Sequence, residues 1–141
     1  MPDWTTEVSF DIHWGEMDAL GHVNNIRFIA WFETARIALF EQLGMRTRQG
    51  DPVGPLLARV ECDYLEPVVY PARITVGIRA ERIGNTSLTL AHQAWYAGTP
   101  ERVVARGRSV VVLVDYSTNA KVRVPDAVRA ALGSPESGLS Q

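Results

Sequence analysis

The sequence predicts an α+β domain in which an antiparallel sheet packs on one long helix. Three observations predict it. Several segments alternate apolar and polar residues with a period of two, as half-buried strands do. The breaks between the later segments are short turns rich in Gly, Asn and Pro, which suit antiparallel neighbours. One stretch, Ile26 to Leu43, is apolar over more than one face and long enough for about five helical turns.

In chain order, Val8, Phe10, Ile12 and Trp14 alternate with Ser9, Asp11 and His13 and give a first strand. The loop GEMDALGHVNN, Gly15 to Asn25, then opens into the helix, which Gly44 is placed to close just past its last turn. A Gly- and Pro-rich loop, Gly50 to Pro55, precedes a second strand in which Leu56, Ala58, Val60, Cys62 and Tyr64 share one side. Pro67 and Pro71 bound the next gap. Ala72, Ile74, Val76, Ile78 and Ala80 form the inner row of a third strand, and Gly84-Asn85 turns it. Leu88, Leu90, His92 and Ala94 follow as the inner row of a fourth, which makes His92 a core or interface histidine. After Gly98-Thr99-Pro100, the β-branched run Val103 to Val114 is a fifth strand. Pro125, suited to the first helical position, opens a short helix through Leu132. One domain spanning 1–133 is expected, with Ser134 to Gln141 as a frayed tail. A helix as apolar as 26–43 needs cover on several sides, from a sheet that curls around it or from a second subunit.

With 141 residues, 46% hydrophobic and 21% charged, the chain has material for one ordinary core. A net charge of −2 offers no basic footprint for nucleic acid. The only cysteine is Cys62, so no disulfide can form within the chain and a cysteine-built metal site is not expected. No apolar run is long enough to span a membrane, and MPDWTTEVSF lacks the basic and apolar regions of a leader; a cytoplasmic protein is the expectation.

The loop before the helix carries the candidate chemistry. A helix N-terminus offers unpaired N–H groups and roughly half a positive charge, a seat for a developing oxyanion. Positions 26–29 carry no acid and one base, Arg27, so that field is left available to a ligand. Asn24 or Asn25 is the N-cap; capping explains one asparagine, not both, and leaves Asp18 and His22 unexplained. Gly21 permits a conformation other residues resist and lets a ligand come close. On spacing alone the plainer account is favoured: an Asx turn at Asp18, a cap at Asn25 and an ordinary loop histidine at His22.

Resemblance changes that balance. WGEMDALGHVNNIRFIAWFETAR, Trp14 to Arg36, resembles the signature of hotdog-fold acyl-CoA thioesterases of the 4-hydroxybenzoyl-CoA thioesterase type, through D-x-x-G-H-V-N-N, an aromatic, and F-E-x-A-R. RVECDYLEPVVYPA (Arg59 to Ala72) and Arg82 to Ser87 are similar to the family's second strand and a later turn, and the likeness extends over about residues 7 to 116. The resemblance implies a curved sheet wrapped around the long helix, and subunits paired as homodimers, further as a dimer of dimers (a homotetramer), with active sites at the seam. It implies Asp18 as general base or nucleophile, and His22 hydrogen-bonding near the carbonyl or the water. N–H groups at Asn25 and Ile26 would polarise the carbonyl, Asn24 and Gly21 would shape the loop, and Phe28 would line the acyl pocket. The substrate's pantetheine arm would pass Gly84 and Ser87, with Arg82 among the arginines, alongside Arg59, Arg106 and Arg108, near its phosphates. No metal or redox cofactor is called for, because the thiolate is a good leaving group. Glu33 of the F-E-x-A-R segment either faces a neighbouring pocket or pairs with Arg36 at i,i+3, and the pair is favoured. His13 and Phe28 stand where many relatives carry arginine and tyrosine. Two alternatives stay open: hydrolysis of acyl-carrier-protein thioesters, and a non-catalytic acyl-CoA-binding protein that keeps the fold. The D-x-N-P-x-H pattern of hotdog hydratases is absent.

Overall fold

The computed structural model describes residues 3–45 and 52–133. The strands are β1 (Thr6–Asp11), β2 (Val53–Tyr64), β3 (Arg73–Ile83), β4 (Ser87–Tyr96), β5 (Val103–Asp115) and β6 (Ala120–Lys121); the helices are α1 (Asn25–Gln42) and α2 (Asp126–Leu132). They form one antiparallel sheet in the order β1-β3-β4-β5-β2, with the short β6 beside β5. The predicted order holds, and β6 is an addition: its two residues are too few to carry a period.

The sheet wraps α1, and the core lies between them. Phe32, Ala35 and Leu39 of α1 are fully buried against Ile74, Val76 and Ile78 of β3, Leu88 and Leu90 of β4, and Leu113 of β5. The β3 and β4 residues sit on the rows that alternation assigned to the inside. β3 and β4 are flanked on both edges, and β3 is covered on its outer face too: Thr75 hydrogen-bonds Ser9 at 2.7 Å, and Trp4 lies where a side chain at Gly77 would be. His92 is 2% exposed, edge-on to Phe32 with ring centroids 4.7 Å apart, and its Nε2 is 2.7 Å from Ser109 Oγ. It is a core histidine, as its register predicts.

Four local expectations change. β1 stops at Asp11, where its pairing with β3 ends at Arg73, and Trp14 stands 72% exposed on a single 3-10 turn, Trp14–Glu16. The His13 N–H donates to Glu16 Oε2 at 2.7 Å and turns the chain there. In β2 a bulge between Leu57 and Arg59 breaks the alternation, so Leu56 and Leu57 are both exposed. Val53 to Pro55, read as loop, already pair with Asp115 to Leu113; Gly50 and Asp51 of that loop, like the tail 134–141, lie outside the described residues. Pro125 is the N-cap of α2, not its first helical residue.

Candidate active site

The loop before α1 is a small closed structure. Met17 and Val23 bridge, the Asp18 N–H donates to the His22 carbonyl at 2.8 Å, and the Gly21 N–H donates to the Asp18 carbonyl at 3.1 Å. Gly21 takes φ +85°, the left-handed conformation that a side chain resists. Backbone bonds from Val23 to Val68 and from Asn24 to Glu16 tie the loop to its surroundings. Asp18 makes the Asx turn: its Oδ1 accepts from the Leu20 N–H at 2.8 Å. No other side-chain hydrogen bond reaches this exposed carboxylate among the described residues. One oxygen therefore holds the loop and the other is open to solvent or ligand.

Asn24 is the N-cap, accepting from the Ile26 N–H at 3.0 Å. This corrects the expectation that Ile26 supplies a free donor. The Asn25 N–H, by contrast, makes no hydrogen bond among the described residues, and α1 has no acid in its first turn. The Asn25 carbonyl accepts from the Tyr64 hydroxyl at 2.9 Å, which pins the helix start to the end of β2.

A cavity of about 410 Å³ opens at this junction, lined by His22, Val23, Asn25, Phe28, Tyr64, Leu65, Glu66 and Pro67. It lies in the size range of small-molecule sites. Phe28 is a buried wall, packed on Trp31 at 4.4 Å and edge-on to Tyr64 at 5.2 Å between centroids. Glu66 is bound by Arg102 at 2.8 and 2.5 Å, and Arg102 lies 4.2 Å over the Tyr96 ring, so the carboxylate on the cavity wall is neutralised. Burial, then Cys62, push the Tyr64 phenol up from its ordinary pKa and keep it a donor. Asp18, Gly21 and Ile26 are exposed beside the cavity and are not part of its lining. Tyr64 and Glu66 escaped the sequence reading as site residues. The signal was there, since both sit where a strand runs out ahead of Pro67, but nothing in the alternation says which helix end that strand will meet.

Arg82, Gly84 and Ser87 are elsewhere in the protomer. Tyr64 pairs with Ala105 and Ala105 with Ala94, next to the end of β4, whereas Ile83 pairs with Leu88 at its start. The Gly84–Ser87 turn therefore sits at the other end of the sheet from the cavity, about 30 Å away along a strand of this length. There the Arg129 guanidinium of α2 donates to the Gly84 carbonyl at 2.8 Å. Arg59 and Arg108 are engaged by Glu61, and Arg108 also by Glu81, on exposed side chains. Glu33 and Arg36 make no contact ion pair, contrary to expectation, although the Glu33 charge still acts on the Arg36 guanidinium: Glu33 is exposed while Arg36 is drawn under the helix to 6% exposure.

Comparison with known proteins gives the arrangement a family context. The model of the thioesterase-like superfamily matches residues 12–132. The PA2801 protein of Pseudomonas aeruginosa, a candidate thioesterase, superposes with a TM-score of 0.87 at 35% identity, over 93% of this chain and 100% of that one. The uncharacterized protein YsmA of Bacillus subtilis (strain 168) is 30% identical over 92 residues, 62% of each chain, so the match spans under two thirds of that relative's length. The BH1999 gentisyl-coenzyme A thioesterase shares the fold, with a TM-score of 0.80 at 22% identity over 91% of this chain and all of that one.

Proposed function

The chain belongs to the thioesterase-like superfamily, a family of thioester hydrolases, and from that premise we propose that it hydrolyses an acyl-CoA thioester to the free acid and CoA at the N-terminus of α1. The observation that carries this reading is the uncommitted N–H of Asn25 at the first helical position, on the wall of a cavity shared with His22. The thioester carbonyl oxygen sits against that N–H, where the helix field stabilises the oxyanion that forms on attack. His22 hydrogen-bonds the carbonyl or the attacking water. The free oxygen of Asp18 takes a proton from water, whose oxygen adds to the carbonyl carbon; the intermediate collapses to acid and thiolate, and the thiolate is protonated. Alternatively that oxygen attacks the carbonyl itself, expelling the thiolate and leaving a mixed anhydride that water cleaves. The apolar wall of Phe28, Val23 and Leu65 suits a fatty or aromatic acyl group.

In this reading the working unit is a homodimer, further assembled as a dimer of dimers. Along α1 the chain runs from the cavity end of the sheet toward the end that carries the Gly84–Ser87 turn. Two copies with antiparallel helices would set the Arg82, Gly84 and Ser87 of one beside the cavity of the other, and so join these residues in one site.

Thiol release from a panel of acyl-CoA esters (short, medium, long, aromatic), set beside the same acyl groups on carrier protein, tests the proposal. Turnover of at least one CoA ester in preference to its carrier-protein counterpart is expected. Turnover of carrier-protein esters alone, or binding of acyl-CoA without hydrolysis, would replace it with one of the two alternatives.

A further inference from the structure

Two cavities meet the first turns of α1. One is the candidate active site, reached from the end of β2. The other, of about 510 Å³, lies by the end of β1, at the opposite end of the strand order, and shares no lining residue with the first. Its walls include Phe10 and Asp11 of β1, Glu16 of the 3-10 turn, and Arg27, Trp31 and Thr34 of α1. Positions 27, 31 and 34 recur at the helical spacing and so share one face. The partition between the cavities is a pair of stacked rings: Phe28 lines one and Trp31 the other, 4.4 Å apart between centroids.

The lining of this second cavity is chemically one-sided. Its floor is aromatic, with Trp31 only 4% exposed and the Phe10 ring 5.7 Å from it. Its acids are engaged. Asp11 holds Arg73 at 3.0 Å. Glu16 is half-buried, and each of its oxygens accepts a protein N–H: Oε2 that of His13, and Oε1 that of the Trp31 indole at 3.3 Å. Its guanidinium is not engaged: Arg27 is exposed, and its side chain makes no hydrogen bond or ion pair among the described residues. A planar fork of five N–H donors thus borders an aromatic floor and has no acceptor of its own.

We propose that this cavity is a second small-molecule site, and that its ligand is a planar organic anion: an aromatic ring carrying a carboxylate. The ring lies against Trp31 and Phe10, and the carboxylate takes two parallel N–H bonds from Arg27. Both halves of the ligand are needed. A small anion without the ring gains only an exposed charge pair, which is weak in water. A neutral ring leaves the guanidinium unanswered. A cationic ligand finds no carboxylate that is not already engaged. A cavity of this size has room for a two-ring acid.

Titration of naphthoate into the isotope-labelled protein, followed by amide NMR, tests this. Gly15 and Thr34 line the second cavity alone, and His22 and Asn25 the first alone, so their resonances report the two separately. Saturable shifts at Gly15, Thr34 and the Trp31 indole are expected, with a dissociation constant on the order of a millimolar. Arg27 is exposed, so R27Q folds; it should raise that constant by about tenfold or more, and naphthamide and acetate should each bind the wild type weaker by at least about as much. Gly15 and Thr34 unmoved by naphthoate, or equal affinity in R27Q, for naphthamide or for acetate, would overturn the proposal. Shifts confined to His22 and Asn25 would place the acid in the first cavity and overturn it equally. Turnover of thioesters has no bearing on either result.

Discussion

At the scale of single residues, one oxygen of Asp18 closes a turn on the Leu20 N–H, and the other is the one the proposed hydrolysis would use. The sequence reading set an Asx turn against a catalytic carboxylate, and the geometry accommodates both in the same side chain. His92 is the second residue whose state is set by its surroundings. Burial, then the nearby Arg36 charge, push its pKa down to about 3, so it is neutral in the fold. In the unfolded chain it titrates near 6.5. The unfolded state therefore binds the extra proton as pH falls, and the stabilisation present above pH 6.5 is lost progressively toward pH 3. From pH 7 to pH 5 this one group removes about 2 kcal/mol. Urea titrations at the two pH values check this: the drop should shrink by about that amount in H92L, after allowance for carboxylates common to both proteins. Arg36 shows what spacing cannot tell. Its i,i+3 relation to Glu33 fits a surface pair, but position 36 also falls on the face that carries Phe32 and Leu39 inward, and burial wins.

At the scale of elements, α1 was legible because three independent signals coincide on it: the asparagines before it, the apolar run, and Gly44 after it at φ +77°. Only the choice of cap was open, and Asn24 takes it. N24A removes the acceptor for the Ile26 N–H and should cost about 1 kcal/mol, read as a lowered urea midpoint with unchanged slope. The clamp between α1 and β2 was not legible, because a hydroxyl donating to a backbone carbonyl 39 residues earlier leaves no trace in periodicity. Y64F keeps the ring against Phe28 and removes only that bond. A stability loss of about 1 kcal/mol is expected, together with a fall of about tenfold in kcat at nearly constant KM if the helix start is thereby loosened. Equal kcat in Y64F would show that the clamp serves the fold alone. The β2 bulge and the exposed Trp14 were missed for a related reason: alternation predicts the side of a strand a residue takes only while the ladder is unbroken.

At the scale of the molecule, the sheet separates what the family signature brings together. Its N-terminal part, Asp18 to Phe28, builds the cavity end, while Arg82, Gly84 and Ser87 stand at the far end of the same strands. A sequence carries no record of which residues come from another copy, so the site shared between subunits that is proposed above would look in one chain like two unrelated halves. Part of the apolar excess of α1 that the sequence showed stays uncovered in the single chain, at Ile26 and Ile37. The central claim nevertheless rests within one chain, on the carboxylate of Asp18 beside the helix start, and D18N tests it most directly. Asparagine keeps an oxygen for the Leu20 N–H and so keeps the loop, while the charge is lost. With the best acyl-CoA of the panel, kcat should fall by about 100-fold or more while the thermal midpoint stays within a few degrees of wild type. A D18N protein that turns over that substrate at the wild-type rate would contradict the account.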